Sequence, residues 1–119
     1  MANTIPTSAT GSRATALHRA FIREMIMAQN PDGYIANCNA ISAATPPRYA
    51  DVKVPVLIIA GAEDKSAPLE GCKFIFESLG TPRKEKQLEI LDGVGHWHCV
   101  EAGEKVGELV KGFCDQLTL

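Results

Sequence analysis

The chain has 119 residues, 45% of them hydrophobic and 22% charged, with a net charge of −2. One domain fits that length, and a domain of this size buries roughly 60–70% of its unfolded-chain surface. A near-neutral charge without a basic patch argues against nucleic acid and anionic membrane as partners, and no apolar run approaches the ~20 residues of a membrane span.

Residues 1–11 are small, polar and interrupted by Pro6 and Gly11, which predicts an irregular lead-in. From Ser12 the pattern turns helical. Leu17, Phe21, Met25 and Ala28 form one stripe, with Ile22 and Ile26 on the adjoining row, and Thr10 or Ser12 is available as the N-cap. Asn30-Pro31-Asp32-Gly33 ends this helix. Tyr34, Ile35, Cys38 and Ile41 then recur at three-to-four spacing, which predicts a second helix to about Ala44, stopped by Pro46-Pro47. Both helices fit either ordinary core packing or a lid over a pocket.

Val56-Leu57-Ile58-Ile59-Ala60 is apolar at every position, as expected of a parallel strand covered on both faces. Pro55 stands at its start, where a missing N–H is tolerated. Pro68 suits the first turn of a helix carrying Leu69, Cys72, Ile75, Phe76 and Leu79, with Gly80 as its C-cap. The mixed run Arg83-Lys84-Glu85-Lys86 reads as a solvated connection into a second strand, Lys86 to Leu91. A last helix from about Gly103 gathers Val106, Leu109, Val110, Phe113 and Leu117 on one face. Its glycines Gly103, Gly107 and Gly112 make it dependent on docking. Strand, helix and strand make a βαβ unit, so the fold class is α/β. A two-stranded sheet leaves both edges open and invites a homo-oligomer or a complementing chain.

In open parallel sheets, functional groups collect beyond the carboxyl ends of the strands. Asp64 follows Ala60 by four residues and His96 follows Leu91 by five. Adjacent strands lie about 4.8 Å apart, so the two loops emerge side by side. An aspartate bonded to one ring nitrogen of a histidine fixes the tautomer and turns the other nitrogen into a base. The plainer readings are a loop-capping Asp64 and a packed core His96. Glu63 is an alternative acid in a less suitable position. Ser66, two residues past Asp64, lies near the site but is a poor substitute nucleophile. Trp97 reads as a hydrophobic plug rather than a substrate platform, and Glu101 as a loop anchor or a cap for the last helix. His96-Trp97-His98-Cys99 has no third or fourth partner at a zinc-like spacing, so no metal is expected, and the chemistry needs no cofactor.

The stretches V-P-V-L-I-I-A-G-A-E-D-K-S-A-P and L-E-I-L-D-G-V-G-H-W-H-C-V-E resemble the closing part of the α/β-hydrolase superfamily, over Val54 to Leu117. The resemblance implies that Asp64 is the triad acid and His96 the triad histidine. Upstream, R-A-F-I-R-E-M-I-M-A-Q-N-P-D-G-Y-I-A-N-C-N-A-I is similar to the cap and its link to the core in hydrolases like 3-oxoadipate enol-lactonase. Residues 1–50 are then lead-in and cap, and 51–119 the C-terminal βαβα part of the core. The implied activity is hydrolysis of a small ester or lactone, with the chain starting inside the cap. No serine here sits on a G-x-S-x-G turn after a strand. The nucleophile is therefore expected outside these residues, and the isolated chain is expected to be inactive. The other reading is a non-catalytic relative that self-associates or binds another chain through its open sheet edge. Isomerase, peroxidase-like and acyl-transfer chemistry on the same scaffold form a third. Four cysteines without a C-x-x-C pair, and an N-terminus without an apolar core, suit a reduced, cytoplasmic protein.

Overall fold

The computed structural model describes residues 1–117, so the last two residues of the 51–119 segment lie outside the described residues. In chain order the elements are α1 (Ile5–Ser8), α2 (Ala16–Met27), α3 (Pro31–Ala43), β1 (Val56–Gly61), α4 (Leu69–Ser78), β2 (Lys86–Leu91), α5 (His98–Glu101) and α6 (Gly103–Gln116). Single 3-10 turns at Tyr49–Asp51 and Arg83–Glu85 lead into the two strands.

The strands pair in parallel, from Val56 opposite Lys86 to Gly61 opposite Leu91, so they end flush. Neighbouring strand residues point to opposite faces. Lys86 reaches α4, donating from Nζ to the carbonyls of Phe76 (2.6 Å) and Leu79 (3.2 Å). Gln87 reaches α6 through Gln116, at 2.9 Å. The two helices therefore cover opposite faces, as the uniformly apolar β1 requires. Lys86 belongs to the packing rather than to a solvated connection. Its ammonium satisfies the carbonyls at the C-terminal end of α4, where positive charge is favoured. It also lies 5.0 Å from the centre of the Phe76 ring, with the Arg83 guanidinium 4.5 Å from the same ring.

Three local expectations change. Residues 1–11 contain the helical turn α1, with Pro6 in its first turn. The N-cap of α2 is Thr15: its hydroxyl accepts from His18 N, and the His18 ring accepts from Thr15 N, a reciprocal cap that releases Thr10 and Ser12 for other partners. Gly80 is not a C-cap. That place belongs to Leu79 in extended conformation. A Cβ at Gly80 would strike the carbonyl oxygen of Ala50, so close backbone approach is what requires glycine there.

The apolar stripe of α2 faces outward. Leu17 is 75% and Phe21 54% exposed, while Ile22 of the adjoining row is fully buried. The helix is apolar over more than one row, and only the Ile22 row docks. No residue of α3 is buried, and Ile41 is 76% exposed. The accessible surface, 8058 Å², exceeds the about 6,300 Å² expected for a 12.8 kDa monomer. The buried share, roughly 57%, falls below the expected 60–70%. The radius of gyration is 15.9 Å, against about 13.5 Å for a compact chain of this length. In the βαβα half, α4 and α6 lie on opposite faces of the sheet but leave Phe74, Ile90 and Val110 exposed and bury no residue of α6, short of the docking that its apolar face predicts; the helical half has whole apolar rows without a partner. Among the described residues no helix is long and apolar enough to cross a membrane.

Candidate active site

The flush strand ends bring two loops to one level. Beyond β1, Ala62 N donates to Leu91 O (3.0 Å) and Glu63 N to Val94 O (2.9 Å), so the loops are knitted together along their backbones. Gly61, Gly95 and Gly11 make the contact possible. A Cβ on Gly61 would strike the carbonyl oxygens of Val94 and Gly95, and one on Gly95 would come within 2.7 Å of Ala9 O. Gly93 turns the second loop with φ of +71°, a conformation natural to glycine. His96 N is held by Ala9 O at 2.8 Å.

Asp64 and His96 meet at this junction, with Oδ2 of Asp64 2.9 Å from Nδ1 of His96. The Asp64 side chain is only 6% exposed, that of His96 46%. The other carboxylate oxygen, Oδ1, accepts from Ser66 N and Ala67 N, both at 2.8 Å. Asp64 is thus a loop cap and a histidine partner at once, one oxygen for each task. Burial pushes its pKa up. The hydrogen bonds from Ala67 N–H, the His96 ring and Ser66 N–H, with the His96 charge, together outweigh that push, and the carboxyl titrates below its ordinary range. At neutral pH the carboxylate is ionised and can only accept. The proton in this contact therefore sits on Nδ1, and in the neutral imidazole the Nε2 lone pair is left free.

Glu63 is occupied elsewhere. Its two oxygens accept from the hydroxyl and the backbone N–H of Ser12, each at 2.7 Å. Those bonds, the hydroxyl's first, hold its carboxyl below the usual glutamate range although it is exposed. Ser66 contributes its N–H to Asp64. His98 opens α5 instead of continuing a strand, and among the described residues no cluster of three His, Cys, Asp or Glu side chains could hold a metal ion.

Glu101 resolves in favour of the loop. It is 7% exposed, and its carboxylate accepts from the backbone N–H of Gly11 (2.7 Å), Gly95 (3.0 Å) and Trp97 (3.1 Å). Two of these donors bracket His96. The buried carboxyl group is satisfied by backbone N–H groups, and among the described residues no cation pairs with it. The importance of Gly11 in this clamp has no sequence signature, since it lies 90 residues from its partner. The sequence offered Glu101 as a loop anchor or a helix cap, without its partners.

No protein-family model and no curated protein sequence matches the chain. Solved structures do. A thermophilic esterase from Thermogutta terrifontis superposes with a TM-score of 0.83 at 18% identity, over 99% of this chain and 44% of the esterase. A serine hydrolase involved in carbazole degradation superposes with a TM-score of 0.75 at 16% identity, over 96% of this chain and 46% of that one. The chain spans less than half the length of each. The helices and small parallel sheet have, in part, an α/β-hydrolase-like fold.

Proposed function

We propose that Asp64 and His96 are the acid and the base of a serine-type hydrolase acting on a small ester or lactone, in the manner of an enol-lactonase. Residues 1–50 serve it as cap and 51–119 as the closing part of its core. The observation that carries this reading is the 2.9 Å contact between Asp64 Oδ2 and His96 Nδ1 at the flush ends of paired parallel strands. In the mechanism, Nε2 of His96 removes the proton from a serine hydroxyl supplied by polypeptide outside these residues. The alkoxide attacks the carbonyl, and His96 returns the proton to the leaving oxygen. A water repeats the sequence on the acyl-enzyme. Asp64 holds the tautomer and stabilises the imidazolium.

The test is hydrolysis of 4-nitrophenyl acetate and of an enol-lactone by the protein isolated from its native source, with and without His96→Ala. Turnover is expected to fall by about four orders of magnitude or more. An unchanged rate would remove His96 from the mechanism.

A second reading draws on the unpartnered apolar rows of α2 and α3 and on the excess accessible surface. In it, the chain is a non-catalytic relative that self-associates or binds another chain. Sedimentation of the 119-residue chain distinguishes the two: a monomer at micromolar concentration counts against self-association.

A further inference from the structure

The sheet stops at β2: among the described residues no third strand pairs with it. Leu91 O accepts from Ala62 N, so the backbone groups of Gln87, Glu89 and Leu91 turn toward β1 and those of Lys86, Leu88 and Ile90 turn outward. An open row of this kind is a template for a further strand. Lysine commonly protects such an edge, but the Lys86 ammonium is engaged by the α4 carbonyls. A groove of about 490 Å³ runs beside the edge, and Lys73, Phe76 and Glu77 bring one side of α4 to it. Ile90 is 43% exposed although it shares the α4 face with Lys86.

The edge is complementary to itself in one orientation. Its leading end, Arg83 to Lys86, carries three basic residues against the single acid Glu85, and its far end carries Glu89 and Asp92 with no base. A second copy running antiparallel sets basic against acidic, whereas a parallel copy sets like against like. With a two-fold axis at Leu88, the outward-turned residues exchange hydrogen bonds in pairs, Leu88 with its own copy and Lys86 with Ile90. The Lys86 stem then covers the exposed Ile90, Gln87 meets Glu89 on the other face, and Lys84 approaches Asp92. The α4 helices agree with the same axis. Lys86 sets the start of β2 beside the end of α4. Rises of about 3.3 Å per strand residue and about 1.5 Å per helix residue bring Leu88 level with roughly the midpoint between Lys73 and Glu77. Lys73 of each copy therefore faces Glu77 of the other. Because α4 touches both strands, the two α4 helices stand about 10 Å apart, an ordinary packing distance. We propose that β2 pairs antiparallel with β2 of a second copy about a two-fold axis at Leu88, giving one four-stranded sheet with α4 packed on α4. The pairing gives the self-association of the second reading a defined surface and rests on it, with the chain catalytic or not. The two Asp64–His96 pairs then lie at opposite ends of the sheet.

The experiment joins sedimentation of the purified chain to cross-linking and charge reversal. A dimer is expected at micromolar concentration. Leu88→Cys places two thiols opposite each other, about 5.5 Å apart at Cα, within reach of a disulfide. Mild oxidation should therefore give a covalent dimer well above the background set by the four native cysteines of the parent. Ile90→Cys shares the same strand and the same outward turn, but its two copies stand about 14 Å apart, so it should stay at that background. Lys73 and Glu77 are exposed, so substituting them leaves the chain folded. Lys73→Glu should weaken the dimer by about tenfold or more, and adding Glu77→Lys should restore it. A monomer would sink the edge and the self-association reading together. A dimer in which Leu88→Cys cross-links no better than Ile90→Cys, or in which Lys73→Glu changes nothing, would keep self-association and overturn the β2 edge. The catalytic reading is judged separately, since none of these positions touches Asp64 or His96.

Discussion

The loop junction and the helical layer are neighbours built on opposite terms. At the junction, Gly11, Gly61 and Gly95 let three backbone segments approach to contact, and a buried Glu101 ties two of them to the residue beyond His96. In α2 and α3, by contrast, Leu17, Phe21 and Ile41 stand in solvent and only Ile22 is fully buried. The difference shows where this chain determines its own geometry. Orientation of the acid–histidine pair is settled internally, by hydrogen bonds to backbone. The helices leave apolar surface exposed.

The largest expected effect is on catalysis. Asp64→Asn keeps the shape of the junction but no longer selects the Nδ1–H tautomer. It should lower turnover of the hydrolytically competent protein by about four orders of magnitude, and steady-state kinetics would measure it. A loss under tenfold would reduce Asp64 to a loop cap.

Next in size is Gly61→Val. Its side chain would meet the Val94 and Gly95 carbonyls, backbone atoms that cannot step aside. Failure to fold, or a loss above about 3 kcal/mol in urea unfolding, is expected. Glu101→Ala should cost about 2–4 kcal/mol by orphaning backbone donors on both sides of His96. It should also broaden the His96 resonances, an effect that a remote loss of stability would not produce. A Glu101→Ala chain as stable as the parent would dissolve the contrast between the two regions.

The pH response follows from the lowered Asp64 pKa. The stabilisation it reflects is complete above the unfolded value of about 3.9 and is lost as pH falls through the lower folded value. Carboxyl carbon shifts should therefore place the Asp64 midpoint below the unfolded value of about 3.9; a midpoint above it would contradict the hydrogen-bonding account. The smallest effect belongs to the other region. Leu17→Lys should change the stability of the isolated chain by no more than about 0.5 kcal/mol. A loss above 1.5 kcal/mol would show that the exposed row of α2 is covered in solution.

The sequence made some of this legible and concealed the rest for physical reasons. β1 and α4 followed from continuous hydrophobicity and a helical stripe, and β2 from its place after the Arg83–Lys86 connection, although burial departs from pattern at Ile90, which is 43% exposed. Asp64 and His96 followed from their places after the strands. Their partnership is local to the sheet ends, though it spans 32 residues of sequence. Periodicity misled at α2. It detects that a helix has an apolar side, but Leu17 and Ile22 belong to one broad side and the docked row is chosen by neighbours elsewhere in the chain. The clamp was half visible. Glu101 has backbone donors as partners, and every residue type supplies those, so nothing in the composition around Gly11 marks it as the third one.

The flush ends of β1 and β2 also act as a ruler. One residue inserted within either strand would lift its loop by about 3.3 Å and turn the following side chains to the other face, breaking the meeting of Asp64 with His96. Between Ala67 and the start of α4 no such constraint operates, whereas Gly80 against Ala50 and Lys86 against Phe76 and Leu79 fix the far end of that helix. Insertions and deletions in proteins built on this plan should accumulate ahead of α4, leaving the strands themselves fixed in length.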